Sequence, residues 1–289
     1  MGRCLLHSFA LFSTLLLLTA ARSAHAAESY DNCTGFITSV PATIGTQGTW
    51  CLKQDLATTI TSGNAITVTT NNVTIDCNDF KLGGLAAGAG TLTNGIVAAA
   101  SFNTIVRHCN IRGFYIGIYF YGGGGGHFVE DNRFDGNTAY GLSVAGDGSV
   151  VRRNRIFDTG DSTATSNAFG IDVTGSVDVV DNTITSVVAR SGGNGSATGI
   201  HTDQNPGGRI VGNGVNGLIK DGTGVIKAIN NSNSGRIALH HNDVVGDGST
   251  GGVGLACTGA NGSAHDNSIS GFATAISVCS DDGHNTIIP

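Results

Sequence analysis

The sequence has little charge and few aromatic, proline or methionine residues. Of its 289 residues only 12% are charged and 6% aromatic, with 3 Pro, one Trp and one Met. Soluble domains average about 25% charged residues, so the charged outer faces of a coiled coil or helical bundle are missing. Disorder is excluded as well, because it needs low hydrophobicity and high net charge, whereas 40% of this chain is apolar. Past the N-terminal segment, no run approaches the roughly 18 consecutive apolar residues of a membrane span.

Glycine is what the chain has in excess. Its 45 Gly are about twice the usual share, and they follow no three-residue period, which excludes collagen. Such a chain turns often and is poor in helix formers.

Arg3, the apolar run Leu11 to Leu18 and the small-x-small triplet Ala24-His25-Ala26 read as a secretory signal peptide over residues 1–26. The remaining 27–289 are expected to be exported, periplasmic or extracellular, with no membrane insertion after cleavage. Without Arg3 and Arg22, 13 basic residues face 21 acidic ones, a net charge of −8. An acidic surface argues against nucleic acid and anionic membranes as partners. Cys4 leaves with the signal. Cys33, Cys51, Cys77, Cys109, Cys257 and Cys279 remain, an even set that suggests three disulfides in an exported chain. Among these six no C-x-x-C or C-x-x-H spacing occurs, which argues against zinc.

A phrase of the form apolar-x-x-Asn-x-apolar recurs around Asn132, Asn154, Asn182, Asn213, Asn242 and Asn267, with Cys109 in the same slot one repeat earlier. Between these anchors falls a second phrase, Gly followed by a branched apolar residue: Gly95-Ile96, Gly117-Ile118, Gly141-Leu142, Gly170-Ile171, Gly199-Ile200, Gly224-Val225 and Gly254-Leu255, with a degenerate Ala275-Ile276. The anchors lie 22 to 31 residues apart, too close for strands plus a crossover helix. Apolar residues alternate around them, which is the period of a strand with one buried face. The fold expected is all-β, a single-stranded right-handed parallel β-helix of about eight or nine coils, one repeat per coil. Residues 27–60 are expected to form its N-terminal cap. Asn suits the anchor because it tolerates the left-handed turn conformation and its amide can bond to the Asn one coil away.

Stacked coils suggest how the cysteines pair. Cys77 with Cys109 and Cys257 with Cys279 fall at like positions on consecutive coils, about 5 Å apart and within disulfide reach. Cys33 then pairs with Cys51.

The segments Thr104-Ile105-Val106-Arg107-His108-Cys109-Asn110-Ile111 and Gly141-Leu142-Ser143-Val144 resemble the repeats of pectin-lyase-like right-handed β-helix proteins. Ile37 to Ile44, Gly48 to Leu52 and Asn72 to Asn78 look like the opening of exported members of that superfamily. The resemblance covers about residues 33–289 and implies the fold. It does not single out an activity, since the superfamily includes lyases, hydrolases and epimerases. The N-x-D, D-D, G-H-G and R-x-K phrases of polygalacturonase-like hydrolases are missing, apart from Asp281-Asp282-Gly283-His284 bunched in one terminal turn. No family catalytic residue is carried over.

Outward residues that follow the Gly-apolar phrases would stack as Tyr119, Ser143, Asp172, His201 and Ile226, with Asp203 two residues past His201. Asp172, His201 and Asp203 are the candidate catalytic residues: carboxylates and an imidazole suited to acid–base work on a sugar or to holding a divalent cation. A solvated ladder in which Asp172 pairs with His201 is the plainer reading. Arg107, Glu130 and Arg152 share the slot two before the anchor, and His108, Asp131, Arg153 and Asp181 share the next. With Tyr119, the residues Arg107, Glu130 and Arg152 are the candidate substrate-binding set. Together with Arg112, Arg133, Arg153 and Arg155, the two arginines would offer bidentate contacts to a uronate polymer; the alternative is a salt-bridged ladder. If the resemblance extends to lyases, an Arg or Lys would take the proton next to the uronate carboxylate and Ca2+ would neutralise that carboxylate. No other cofactor is implied.

Insertions collect at 158–169 and 185–198, on one side of the coil, where such folds place binding sites. His240, His241 and His265 invite a copper reading. Neighbours on a strand face opposite ways, so at most one of the first two should join His265. The one Met lies in the signal segment, so thioether ligation is absent, and no metal site is assigned. The function expected is an exported protein that binds polysaccharide, with or without cleaving it as a lyase or glycoside hydrolase. The alternative is a non-catalytic envelope or surface structural protein. Alkylation followed by mass spectrometry should find none of the six cysteines free in the exported protein; more than one free thiol would contradict the stacking.

Overall fold

Short runs of β-branched residues broken by glycine and asparagine form strands that stop after two to eight residues and turn. A computed structural model describes residues 30, 32–203, 207–232, 235–248, 251–259 and 262–288; the signal segment 1–26 lies outside them. Each coil gives one strand to each of three parallel sheets. Sheet I has eleven strands, from Gly35–Ile37 to Ser280–Gly283. Sheet II has ten, from Leu56–Ala57 to Thr286–Ile288, and sheet III ten, from Ala42–Ile44 to Thr274–Ser277. A typical coil runs Ile105–Arg107 in sheet I, Asn110–Arg112 in sheet II and Ile116–Tyr121 in sheet III. The result is a parallel β-solenoid, as the repeats predict. Among the described residues, a single 3-10 turn at Leu85–Ala87 is the only helical element, and no helix is long and apolar enough to cross a membrane.

Parallel register places like residues of successive coils side by side. Val106, Val129 and Val151 line the inner face of sheet I; Ile111, Phe134 and Ile156 that of sheet II; Ile118, Leu142 and Ile171 that of sheet III. All are buried at or near full occlusion. Burial of each branched side chain contributes about 1.5–3 kcal/mol, repeated coil after coil.

The corner between sheets I and II is closed by amides. From Asn132 through Asn154, Asn182, Asn213, Asn242 and Asn267 to Asn285, each Asn donates its backbone N–H and its Nδ2 to the side-chain oxygen of the next, at 2.9–3.1 Å. Each Nδ2 also reaches a carbonyl of the previous coil, such as Asn182 to Val151 O at 3.0 Å. The column begins at Cys109, whose N–H donates to Asn132 Oδ1. Asn285 extends it one coil past the anchors visible in the repeat.

The left-handed turn conformation, however, belongs to the residue before each anchor. His108, Asp131, Arg153, Asp181, His241 and Asp266 have φ between 52° and 56°. The Asn itself is needed for its buried amide, not for its φ.

The Gly-apolar phrase marks a place with little room for a side chain. A Cβ on Gly141 would lie 2.5 Å from Gly170 O and 2.7 Å from Ile156 Cγ2; on Gly170 it would lie 2.6 Å from Ile184 Cγ2. Ala228 and Ala275 take the slot on later coils, where Ile229 and Ile276 pair with Ile200 and Leu255. Gly224-Val225 is therefore not a copy of the phrase. Val225 is exposed and Ile226 is buried beside Ala197, so the outward residue next to His201 is Asn230, not Ile226. The look-alike phrase sits in the turn four residues too early.

All three disulfides pair as expected: Cys33–Cys51, Cys77–Cys109 and Cys257–Cys279, with Cα separations of 5.8, 4.7 and 4.9 Å. Residues 35–57 already lie in the three sheets as the opening coil. Of the predicted insertions, 158–160 and 185–188 continue sheet II strands, with left-handed bulges at Asp158 and Ser186; the loops proper are 161–167 and 189–196.

Replacing Asn182 with Ala strips partners from buried donors and acceptors on both neighbouring coils. The expected loss is roughly 3 kcal/mol, a fall in melting temperature of about 6–12 °C by calorimetry. His127 provides a pH-dependent counterpart. It is buried, its Nδ1 accepts the Thr104 N–H at 3.2 Å, and burial pushes the imidazole down to about 4. Below about 6.5 the unfolded chain takes up a proton that the folded chain refuses. Stability should therefore fall between about pH 6.5 and 4, by roughly 3 kcal/mol in all, and His127→Gln should flatten that part of the profile.

Candidate functional site

The outer face of sheet III carries a chain of polar side chains across consecutive coils. Tyr119, Ser143, Asp172, His201 and Asn230 occupy one column in register, at the roughly 4.8 Å spacing of adjacent strands. Ser143 Oγ donates to Asp172 Oδ2 at 2.9 Å, and His201 Nδ1 donates to Asp172 Oδ1 at 2.7 Å. His201 Nε2 lies 3.0 Å from Ser232 Oγ. Ser232 is the first residue after the strand Ile226–Asn231; its N–H and its hydroxyl both reach Thr202 O at 3.0 Å. The side chains of Asp172 and His201 are each 19% exposed, sheltered enough to strengthen these bonds yet open to a ligand.

Aromatic rings border the chain. Tyr140 and Phe169, neighbours in register, stack at 4.9 Å with 10° between planes, and Phe169 lies 5.5 Å from the His201 ring. Tyr115 meets Tyr140 edge-on at 6.3 Å, and Tyr119 stacks on Tyr121 at 4.5 Å. Burial, and next the Asp172 charge, push the Tyr140 hydroxyl up to about 12. Tyr119 is raised by burial, then by Tyr121 and Asp172.

Asp172 and His201 are thus brought into direct contact. Asp203 ends the same strand beside Thr174, while both ring nitrogens of His201 are taken by Asp172 and Ser232. Arg107, Glu130 and Arg152 form a column on sheet I, a different face from that of Tyr119. Arg107 binds Asp76 at 2.7 Å; Arg152 binds Glu130 at 2.6 Å; Arg153 bridges Glu130 at 3.1 Å and Asp131 at 2.7 Å. Burial raises Asp76, but the Asn78 N–H, Arg107 and His108 outweigh it and hold the carboxyl below the usual range. Asp131 is lowered chiefly by its hydrogen bond from Arg153. The remaining arginines, Arg112, Arg133 and Arg155, stand on sheet II across the Asn corner, so the six do not form one patch. Arg112 pairs with Asp135 at 3.4 Å, and Arg133 lies over the Phe157 ring at 4.3 Å.

The histidines depart from the expected alternation. His241 sits in the left-handed corner position, which turns it toward its neighbour, so His240 Nδ1 and His241 Nδ1 approach to 2.9 Å. The His240 and His265 rings stack at 4.8 Å, and His240 is lowered by burial and by the other two imidazoles. Among the described residues no group of three His, Cys, Asp or Glu is placed to hold a metal ion.

The edge between sheets II and III, where the insertions gather, holds two hollows of about 380 and 230 Å3 that share Asp158, Gly160 and Asp161. The repeats located this edge but not these carboxylates. Ser232 was also missed, because its place depends on the register set by Ala228-Ile229.

A parallel solenoid with one densely bonded polar column on an outer face is a class of fold, not an activity. The chain belongs to the right-handed beta helix family: the family model described as "Right handed beta helix region" matches residues 54–201, just over half of the sequence. In structure it is similar to the Dettilon tailspike protein, at 13% identity and TM-score 0.46 over 88% of this chain and 60% of that one. It is also similar to the Agl-KA catalytic domain, at 16% and 0.42 over 87% and 62%, and to the A-module of an Azotobacter vinelandii mannuronan C-5 epimerase, at 9% and 0.37 over 89% and 90%. The chain therefore spans about 60% of the length of the first two. No curated protein matches it in sequence.

Proposed function

We propose that this is an exported protein that binds polysaccharide on the outer face of sheet III. The stacked rings of Tyr140 and Phe169 beside the Ser143–Asp172–His201 column carry this reading. A sugar presents an apolar C–H face that packs on an aromatic ring and hydroxyls that bond to carboxylate and hydroxyl groups, and this strip offers both in one surface. Coils at a fixed spacing extend the strip along the solenoid, which suits a polymer better than a single small molecule. Three disulfides fit an oxidising compartment, periplasmic or extracellular.

A second reading, a non-catalytic envelope or surface structural protein, is favoured by sheet I. There Arg107, Arg152 and Arg153 are already engaged with carboxylates, and such exposed pairs add about 0–1 kcal/mol each. The two readings separate on a glycan array followed by titration calorimetry. Binding should weaken about tenfold in Tyr140→Ala and at least as much in Asp172→Ala, while Arg152→Ala stays within about twofold. If the parent binds no glycan, the structural reading takes its place.

A further inference from the structure

We infer that Asp172, His201 and Ser232 form a nucleophilic hydrolase triad, with an acyl ester as substrate. The hydrogen bonds run from carboxylate to imidazole to hydroxyl. Asp172 Oδ1 accepts from His201 Nδ1 at 2.7 Å, which fixes the tautomer and leaves Nε2 as the acceptor. Nε2 faces Ser232 Oγ at 3.0 Å. A weak nucleophile becomes reactive when a base oriented by a third group stands within hydrogen-bond reach, and both distances meet that requirement. The order along the chain is irrelevant to this test; the roles and the geometry decide it.

Each member is held by something else. Ser143 Oγ occupies the other oxygen of Asp172 at 2.9 Å. Ser232 is tied by its own N–H to Thr202 O, and its hydroxyl proton has two acceptors in reach, that carbonyl and Nε2. Rotation about one bond therefore moves the proton from a resting partner to the base. Asn230, beside His201 in the column, has its amide oxygen engaged by Lys227 Nζ at 3.0 Å. Phe169, 5.5 Å from the imidazole, gives the site an apolar flank.

The reaction balances with water as the sole co-reactant. Ser232 Oγ bonds to the ester carbonyl carbon while its proton passes to His201 Nε2. The tetrahedral intermediate collapses, the carbon–alkoxy bond breaks, and Nε2 returns the proton to the departing alcohol. Water then attacks the Ser232 ester with the same base and releases the carboxylic acid, restoring the hydroxyl. His201 and Ser232 are the catalytic residues; Asp172 and Ser143 position them. On the reading above, which supplies only the alcohol half, the substrate is an O-acylated polysaccharide.

The full chain is treated with a fluorophosphonate probe, which needs an activated serine but no sugar, and the labelled peptide is mapped by mass spectrometry. Label on Ser232 is expected. It should vanish in Ser232→Ala and slow about a hundredfold or more in His201→Ala. In Asp172→Asn the labelling rate should fall and in Asp172→Glu it should largely recover, which loss of a merely structural contact would not do. Acetate release from an O-acetylated polysaccharide should follow the same order. An unlabelled Ser232 in protein whose circular dichroism and disulfides are intact, or labelling of His201→Ala at the parental rate, would overturn the triad. Glycan titration of the same preparation reads the binding proposal separately, so either can fail alone.

Discussion

The amide column at the corner of sheets I and II is the constraint from which the rest of this structure follows. Each Asn oxygen takes both the backbone and side-chain N–H of its predecessor, so a coil shifted by one residue would leave several buried polar groups without partners. An unmatched buried donor or acceptor costs about 1–3 kcal/mol. The apolar stripes alone would resist a slip, which would turn every inward side chain out, but Val, Ile and Leu are interchangeable between coils. The amides are not, and they fix register at one point per turn. Coils may then differ by several residues in length, because insertions leave at the sheet II–III edge without disturbing the corner.

That division of labour explains why the polar column on sheet III can exist. Once register is fixed at one corner, outward residues on the far face stand at the strand spacing of about 4.8 Å. Short side chains such as Ser143 and Asp172 can just hydrogen-bond across it, and an imidazole spans it with one nitrogen facing each neighbour. Sheet I uses the same spacing differently. Alternating Asp76, Arg107, Glu130 and Arg152 neutralise one another with long flexible side chains, as suits an exposed surface with few charges to spare. Similar columns thus yield either inert pairing or a directed chain, depending on side-chain length and on what flanks them.

Much of this was legible in the sequence because the corner and the small-residue slot are steric and polar requirements that only a few residue types meet. Asn132 to Asn267 repeat for that reason, and the stack they define paired the cysteines correctly. What was not legible lay where a requirement is soft. The slot tolerates Ala228, so Gly224-Val225 passed for the repeat and put Ile226 where Asn230 belongs. A left-handed residue at the corner turned His241 to the same side as His240, against strand alternation. Ser232 follows the end of a strand and carries no pattern of its own. The basic residues from Arg107 to Arg155 looked like one patch because the sequence does not show that Arg112, Arg133 and Arg155 lie around the corner.

The paired contacts of His201 bear on how such a site tolerates change. Asp172 and Ser232 arrive from the coils before and after, 29 and 31 residues away in sequence, so no single loop builds the site and no single loop can distort it. Its geometry instead inherits the rigidity of three adjacent rungs. A loosened corner in those rungs would therefore move the imidazole relative to both partners at once. Asn154, Asn182 and Asn213, although on the opposite side of the coil, are in this sense part of what holds the column in place. Drift in the 161–167 and 189–196 loops, which leave from the II–III edge, changes what can approach the face without altering the distances within it.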